Sequence, residues 1–207
     1  ASLEKESAGS MGLRWGSGNA DFYAVYPGDS PSKLSVINGL YLTLFDVTVK
    51  LPEGQNTFTE TTSGNHTEVK PDMELAAMMA VSRDVPPTSS VQLDFLPLVT
   101  TFRITIGNPS TTDDMTINKV SIGYSPLSST PIPMSGDYRV IYDKTGGSTL
   151  SSHLQLMPVD GTSVQNASFN GSVDLSSVPG GEIFLPKKNG SSVSSMSVTL
   201  FAVPVQH

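Results

Sequence analysis

Between Leu40 and Leu51 apolar residues recur at every second position, first Leu40, Leu42 and Leu44, then Val47, Val49 and Leu51. A period of two is the pattern of a strand with one face against a core. A helix would need its apolar stripe every three to four residues and finds none here. The phase changes at Phe45-Asp46. One extra residue turns every later side chain of a strand to the other face. A bulge is therefore expected at that point, or a passage of the second half of the strand into another sheet.

Short alternating or apolar segments of the same kind fill the rest of the chain. They include Phe22 to Tyr26 (closed by Pro27-Gly28-Asp29), Val91 to Phe95, Leu98 to Ile106, Ile117 to Ile122, Tyr138 to Tyr142, Leu150 to Met157, Val173 to Leu175, Ile183 to Leu185 and Met196 to Val205. Pro97 breaks the phase between two of them, and a residue without an N–H belongs at an edge, a bulge or a kink. The polar stretch Glu53 to Lys70 reads as a long loop or an exposed hairpin. Only Asp72 to Ala80 favours a helix by propensity, about two turns with Asp72 near its start. Its all-β surroundings support an extended alternative.

Of 207 residues only 15% are charged, while Gly 18 and Pro 15 supply turns throughout. The composition suits an all-β chain of about a dozen short strands. The stretch Gly107 to Asp114 is the best linker candidate. It divides the chain into a tail or remnant first strand at 1–14, a β-sandwich at 15–108 and a second β-sandwich at 115–207.

Function classes fall away on simple grounds. With 12 Lys+Arg against 19 Asp+Glu and a net charge of −7, the chain lacks the basic stripe that nucleic-acid binding requires. It contains no cysteine, which removes disulfides, thiolate metal sites and cysteine nucleophiles. His66, His153 and His207 are never at metal-ligand spacing and read as surface residues. No G-x-S-x-G elbow is present. Asp113-Asp114 sits in the proposed linker, and Asp46 and Asp94 are expected to face outward from strands. Met73, Met78 and Met79 read as core, with an adaptable contact surface as the alternative. No catalytic residue, cofactor or metal is expected, and the chain reads as a non-enzyme.

The most informative stretch is Val69 to Asn108. An acidic Asp72 precedes the Ala/Met-containing segment Met73 to Ala80. The strand Val91-Gln92-Leu93-Asp94-Phe95 follows, then a break at Pro97 and the apolar strand ending at Ile106. Upstream stand Trp15, Phe22, Tyr23, Ala24, Tyr26 and Pro27; downstream stand Ile183-Phe184-Leu185-Pro186, Val198 and Leu200. In order and spacing these segments resemble the fimbrillin-like family of Gram-negative anaerobes, the subunits of type V pili and related surface lipoproteins. Two features depart from the family. Leu96-Pro97-Leu98 stands where many relatives carry a His, and only fourteen residues precede Trp15. The second departure fits an incomplete first domain or a strand removed by processing.

The resemblance implies two tandem Greek-key, transthyretin-like β-sandwiches on a protein exported through the outer membrane to the cell surface. It implies assembly rather than catalysis: removal of an N-terminal strand opens a groove that a strand of another subunit fills. The partners would be other pilus subunits or further copies of the chain, with a host or bacterial surface ligand or glycan as a second kind. Arg14, before Trp15, is the candidate processing site. Met196, Val198, Leu200, Ala202, Val203 and Val205 form the candidate donor or edge strand, an ordinary core strand being the alternative. A non-polymerising surface lipoprotein that binds glycan or host ligand is the competing function.

Overall fold

The computed structural model describes residues 2–3, 18–28, 34–38, 44–87, 90–123, 133–143, 154–158 and 165–204. Within them the alternating segments become strands β1 (Ser2–Leu3), β2 (Ala20–Tyr26), β3 (Leu34–Asn38), β4 (Leu44–Leu51), β5 (Gly54–Ser63), β6 (His66–Pro71), β7 (Met78–Val85), β8 (Val91–Gln92) and β9 (Leu96–Pro97). The series continues with β10 (Thr100–Asn108), β11 (Met115–Ile117), β12 (Lys119–Gly123), β13 (Ser135–Asp143), β14 (Leu154–Pro158), β15 (Gln165–Ser168), β16 (Asn170–Asp174), β17 (Ile183–Leu185) and β18 (Ser194–Ala202). The fold is all-β, and the described residues contain no α-helix.

Among the described residues two larger cores result, with a smaller cluster of Ala80, Val91 and Leu93 beside them. In the first, the sheet β14-β13-β4-β3 faces the sheet β2-β7-β9. Val47, Val49 and Leu51 of β4 and Tyr138, Val140 and Tyr142 of β13 meet Met79, Leu98 and the partly buried Tyr23, Val25 and Val81. The Tyr138 hydroxyl, at 0% exposure, donates to the Leu98 carbonyl at 2.6 Å and ties the two layers together. In the second core the sheet runs β10-β18-β6-β5-β16-β12, with the pair β11-β17 packed beside it. β5 belongs to both halves of this sheet. Gly54 to Asn56 run parallel to β16, and Thr57 to Ser63 run antiparallel to β6, with a register shift between Thr57 and Thr59. A strand that changes partner at a bulge lets one sheet fold over its own core. β16 accordingly lies against β18, and a Cβ at Gly171 would sit 3.2 Å from a Leu200 methyl.

The pairing does not respect the boundary expected between 15–108 and 115–207. β13 lies against β4, β16 against β5, and β18 between β10 and β6. The stretch 107–114 is a chain reversal within one core rather than a linker. Asn108, 1% exposed, donates its side-chain amide to the carbonyls of Asp113 and Leu185, each at 3.0 Å. The Ser110 hydroxyl accepts from the N–H groups of Thr112 and Asp113. Turn residues mark where a chain bends, and a bend inside a domain needs the same residues as a junction between two.

Three local expectations meet the structure differently. Pro97 sits in β9, at the edge of its sheet, where a missing N–H costs no ladder bond. The segment 72–80 is one 3₁₀ turn, Met73–Leu75, leading into β7. Asp72 caps it by accepting from the Glu74 N–H at 3.0 Å, but Met79 is fully buried in the first core and Ala80 in a separate cluster with Val91 and Leu93, and that burial overrides propensity. β4 pairs with β13 without interruption from Leu44 to Leu51. The bulge lies in its other neighbour, β3, between Val36 and Asn38. Residues 1, 4–17, 40 and 42 lie outside the described residues, and with them most of the expected tail, Trp15, Leu40 and Leu42.

Asp46 is not the outward-facing surface acid expected, being only 4% exposed and held by Arg139. Thr48, two residues on and 5% exposed, has a hydroxyl with no hydrogen-bond partner. A buried hydroxyl left unpaired costs about 1–3 kcal/mol of desolvation. Thr48→Val removes it at nearly constant shape. The variant should be about 1 kcal/mol more stable than the parent, read as a raised urea midpoint at unchanged slope.

Candidate assembly surface

Of the strand singled out from sequence, Met196 to Val205, the described part up to Val203 is interior in this chain. β18 pairs with β10 over its whole length, from Thr100↔Ala202 to Asn108↔Ser194, and with β6 from Ser195↔His66 to Val198↔Val69. Met196, Val198 and Leu200 are 0% exposed and Ala202 1%, all in the second core. Phe201 and Val203 point the other way into the first core. Beyond the last β6 pair, the Gln55 amide takes over as a ladder partner. It donates to the Phe201 carbonyl at 2.6 Å and accepts the Phe201 N–H at 3.0 Å. The alternation that suggested an edge or donor strand is that of a strand joining two cores. Val205 and Arg14 lie outside the described residues.

The open edge belongs to β10. Among the described residues no strand pairs with its outer side, and with nine residues it is the longest strand so placed. It contains no proline, lysine or carboxylate, and its register with β18 has no shift. Phe102, Ile104 and Ile106 stand in the same rows as the fully buried Leu200, Val198 and Met196. Yet Phe102 is 41% exposed, and Ile104 and Ile106 are only partly buried. The core therefore ends in an apolar row that is only partly covered. Two other free edges carry the usual protection: β2 has Asp21 and a register shift between Ala20 and Phe22, and β12 is short and begins with Lys119.

The opposite face of β10 is polar. Arg103 meets Glu68 at 2.5 Å, and the Thr105 and Ser197 hydroxyls share a hydrogen bond of 2.7 Å. His66 lies on this face, with Nδ1 2.9 Å from the Ser195 hydroxyl and Nε2 3.4 Å from Glu68. Sequence spacing gave no hint of this constellation, because 129 residues separate Ser195 from His66. It has the order nucleophile, base, acid, but lies on a sheet face with the His66 and Glu68 side chains more than a third exposed. The Ser195 N–H, the nearest candidate for holding an oxyanion, is already donated to the Asn65 carbonyl at 2.8 Å. What the arrangement does is cross-link β6 and β18.

The remaining expected residues are dispersed. Asp113 accepts from the Thr112 hydroxyl within the 109–114 turn, and Asp114 ties that turn to the distant Lys187 by accepting its N–H. Asp94 is exposed and accepts from the Gln92 amide. Met79 is core, whereas Met73 is 50% exposed, so the three methionines form no common surface. Among the described residues no cluster of His, Cys, Asp and Glu could hold a metal ion. Comparison with protein-family models, with curated proteins and with solved structures finds no match.

Proposed function

We propose that this chain is a structural and adhesive protein of the cell surface, a fimbrillin-like pilus subunit that assembles by strand addition. The single observation that carries the reading is the edge of β10. Nine residues without proline, lysine or carboxylate, with Arg103 as their one charge, end a core whose last apolar row leaves Phe102 exposed and Ile104 and Ile106 only partly buried. An incoming extended strand would gain main-chain hydrogen bonds along that edge and seat alternate side chains over the apolar row. The acceptor role falls to β10. The donor is a segment other than β18, whose release would open both cores. No catalytic step or cofactor belongs to this function.

Electron microscopy of the exported full-length protein tests it, before and after trimming with an arginine-specific protease. Filaments that form after trimming, and fail to form with Phe102→Lys, are the expected result. Monomers under both conditions would overturn a shaft role. They would favour the non-polymerising ligand-binding alternative, for which the exposed Phe169 and Phe184, at 40% and 56%, offer stacking surfaces.

A further inference from the structure

We propose that two copies of this chain pair through β10 into a closed, two-fold symmetric dimer, with the axis beside Ile104. The inference uses the same edge as the proposed function but requires no filament. It starts from the sequence of the strand, Thr100-Thr101-Phe102-Arg103-Ile104-Thr105-Ile106-Gly107-Asn108. Laid antiparallel on itself about Ile104, this strand sets Phe102 opposite Ile106, Arg103 opposite Thr105, Thr101 opposite Gly107 and Ile104 opposite its own copy. All nine positions are used, apolar residues meet apolar residues on the core side, and polar residues meet polar residues on the other.

Charge selects this register. Moving the centre to Arg103 would place two guanidinium groups face to face, which is destabilising for directly opposed residues. Moving it to Thr105 would place Phe102 opposite Asn108 and leave its ring uncovered. In the Ile104 register each Arg103 keeps its own Glu68 at 2.5 Å and directly opposes a hydroxyl, the two guanidinium groups standing on the diagonal rather than face to face. The strand itself carries no carboxylate, so the net charge of −7 acts across the seam only from a distance. Such repulsion is largely screened at physiological salt. The pairing is isologous, and an isologous contact closes at two copies instead of propagating. A dimer of this kind covers the edge that otherwise invites aggregation. In a subunit that adds strands it would be the resting form, to be opened before assembly.

The absence of cysteine makes the test clean. Ile104→Cys places two thiols opposite one another across the axis, within the Cα separation that a disulfide spans. Under mild oxidation the variant should convert to a species of twice the 21.9 kDa chain mass. Ile122→Cys, on the β12 edge, should remain single. Sedimentation equilibrium of the unmodified protein should show the same dimer. Phe102→Lys should weaken it at least tenfold with the circular dichroism and melting curve unchanged. Thr101→Lys, at an exposed position, repeats the test should Phe102→Lys fail to fold.

A protein that sediments as a monomer across the micromolar range, with no crosslink from Ile104→Cys, overturns the dimer. If trimmed precursor still forms filaments, the dimer fails while strand addition stands. A crosslinked dimer without filaments supports the dimer and removes the pilus role.

Discussion

A chain shortened to end at Ser194 should not fold. The lost segment holds Met196, Val198, Leu200 and Ala202, each at most 1% exposed, together with Phe201 and Val203 of the other core. Full burial of a side chain of this size contributes about 1.5–3 kcal/mol. Their sum reaches the whole stability of a typical domain, about 5–15 kcal/mol. Removal would also strip β10 of its only described strand partner and leave β6 with β5 alone. Circular dichroism should show an unstructured chain, and the intact protein should show no exchange with an added peptide of residues 194–207. A single-site version is milder: Leu200→Ala should cost about 2–5 kcal/mol in urea unfolding, since a core cavity relaxes only in part. The opposite outcome, a folded truncated chain that takes up the peptide, would return β18 to the role of an exchangeable strand.

The contrast between β18 and β10 shows how far the sequence reached. Periodicity located both strands and gave the inward face of each. Val47, Val49 and Leu51 face a core as their alternation requires, and Pro97 occupies an edge. The polar run after Glu53 is the β5–β6 hairpin, turned at Gly64 with φ of +60°. Alternation records that one face is buried, but it does not record how many neighbours a strand has. Met196 to Val203 and Phe102 to Ile106 look alike on paper, and only the topology makes one central and the other an edge. For the same reason Gly107 to Asp114 could not be told from a linker. The Ser195–His66–Glu68 contacts depend on a parallel pairing between distant segments, which no local pattern encodes. One signal was available and was missed: 100–108 lacks lysine, acid and proline and has Arg103 as its one charge, which marks a weakly protected strand.

Arg139→Met should destabilise the protein by about 3–5 kcal/mol, the usual cost of stranding one member of a buried ion pair. Arg139 reaches Asp46 with two nitrogens, Nε donating to Oδ1 at 3.2 Å and a terminal nitrogen to Oδ2. The Asp46 side chain is 6% exposed and that of Arg139 29%. Methionine fills the space of the arginine stem but leaves a buried carboxylate with its principal partner gone. The pair itself need not be strongly favourable, because the desolvation of both groups offsets most of their attraction. Asp46→Val combined with Arg139→Met should therefore recover most of the loss, and a double-mutant cycle should give a coupling of about 2 kcal/mol or more. Salt separates this pair from the exposed one between Arg103 and Glu68, whose side chains are 61% and 35% accessible. Breaking that surface pair should cost less than about 1 kcal/mol, and the cost should vanish at high ionic strength. The Asp46–Arg139 loss should persist there, since the stranded Asp46 carboxylate, 6% exposed, lies largely out of reach of salt. A loss at Arg139 that salt abolishes would mean that the carboxylate remains hydrated in the folded protein.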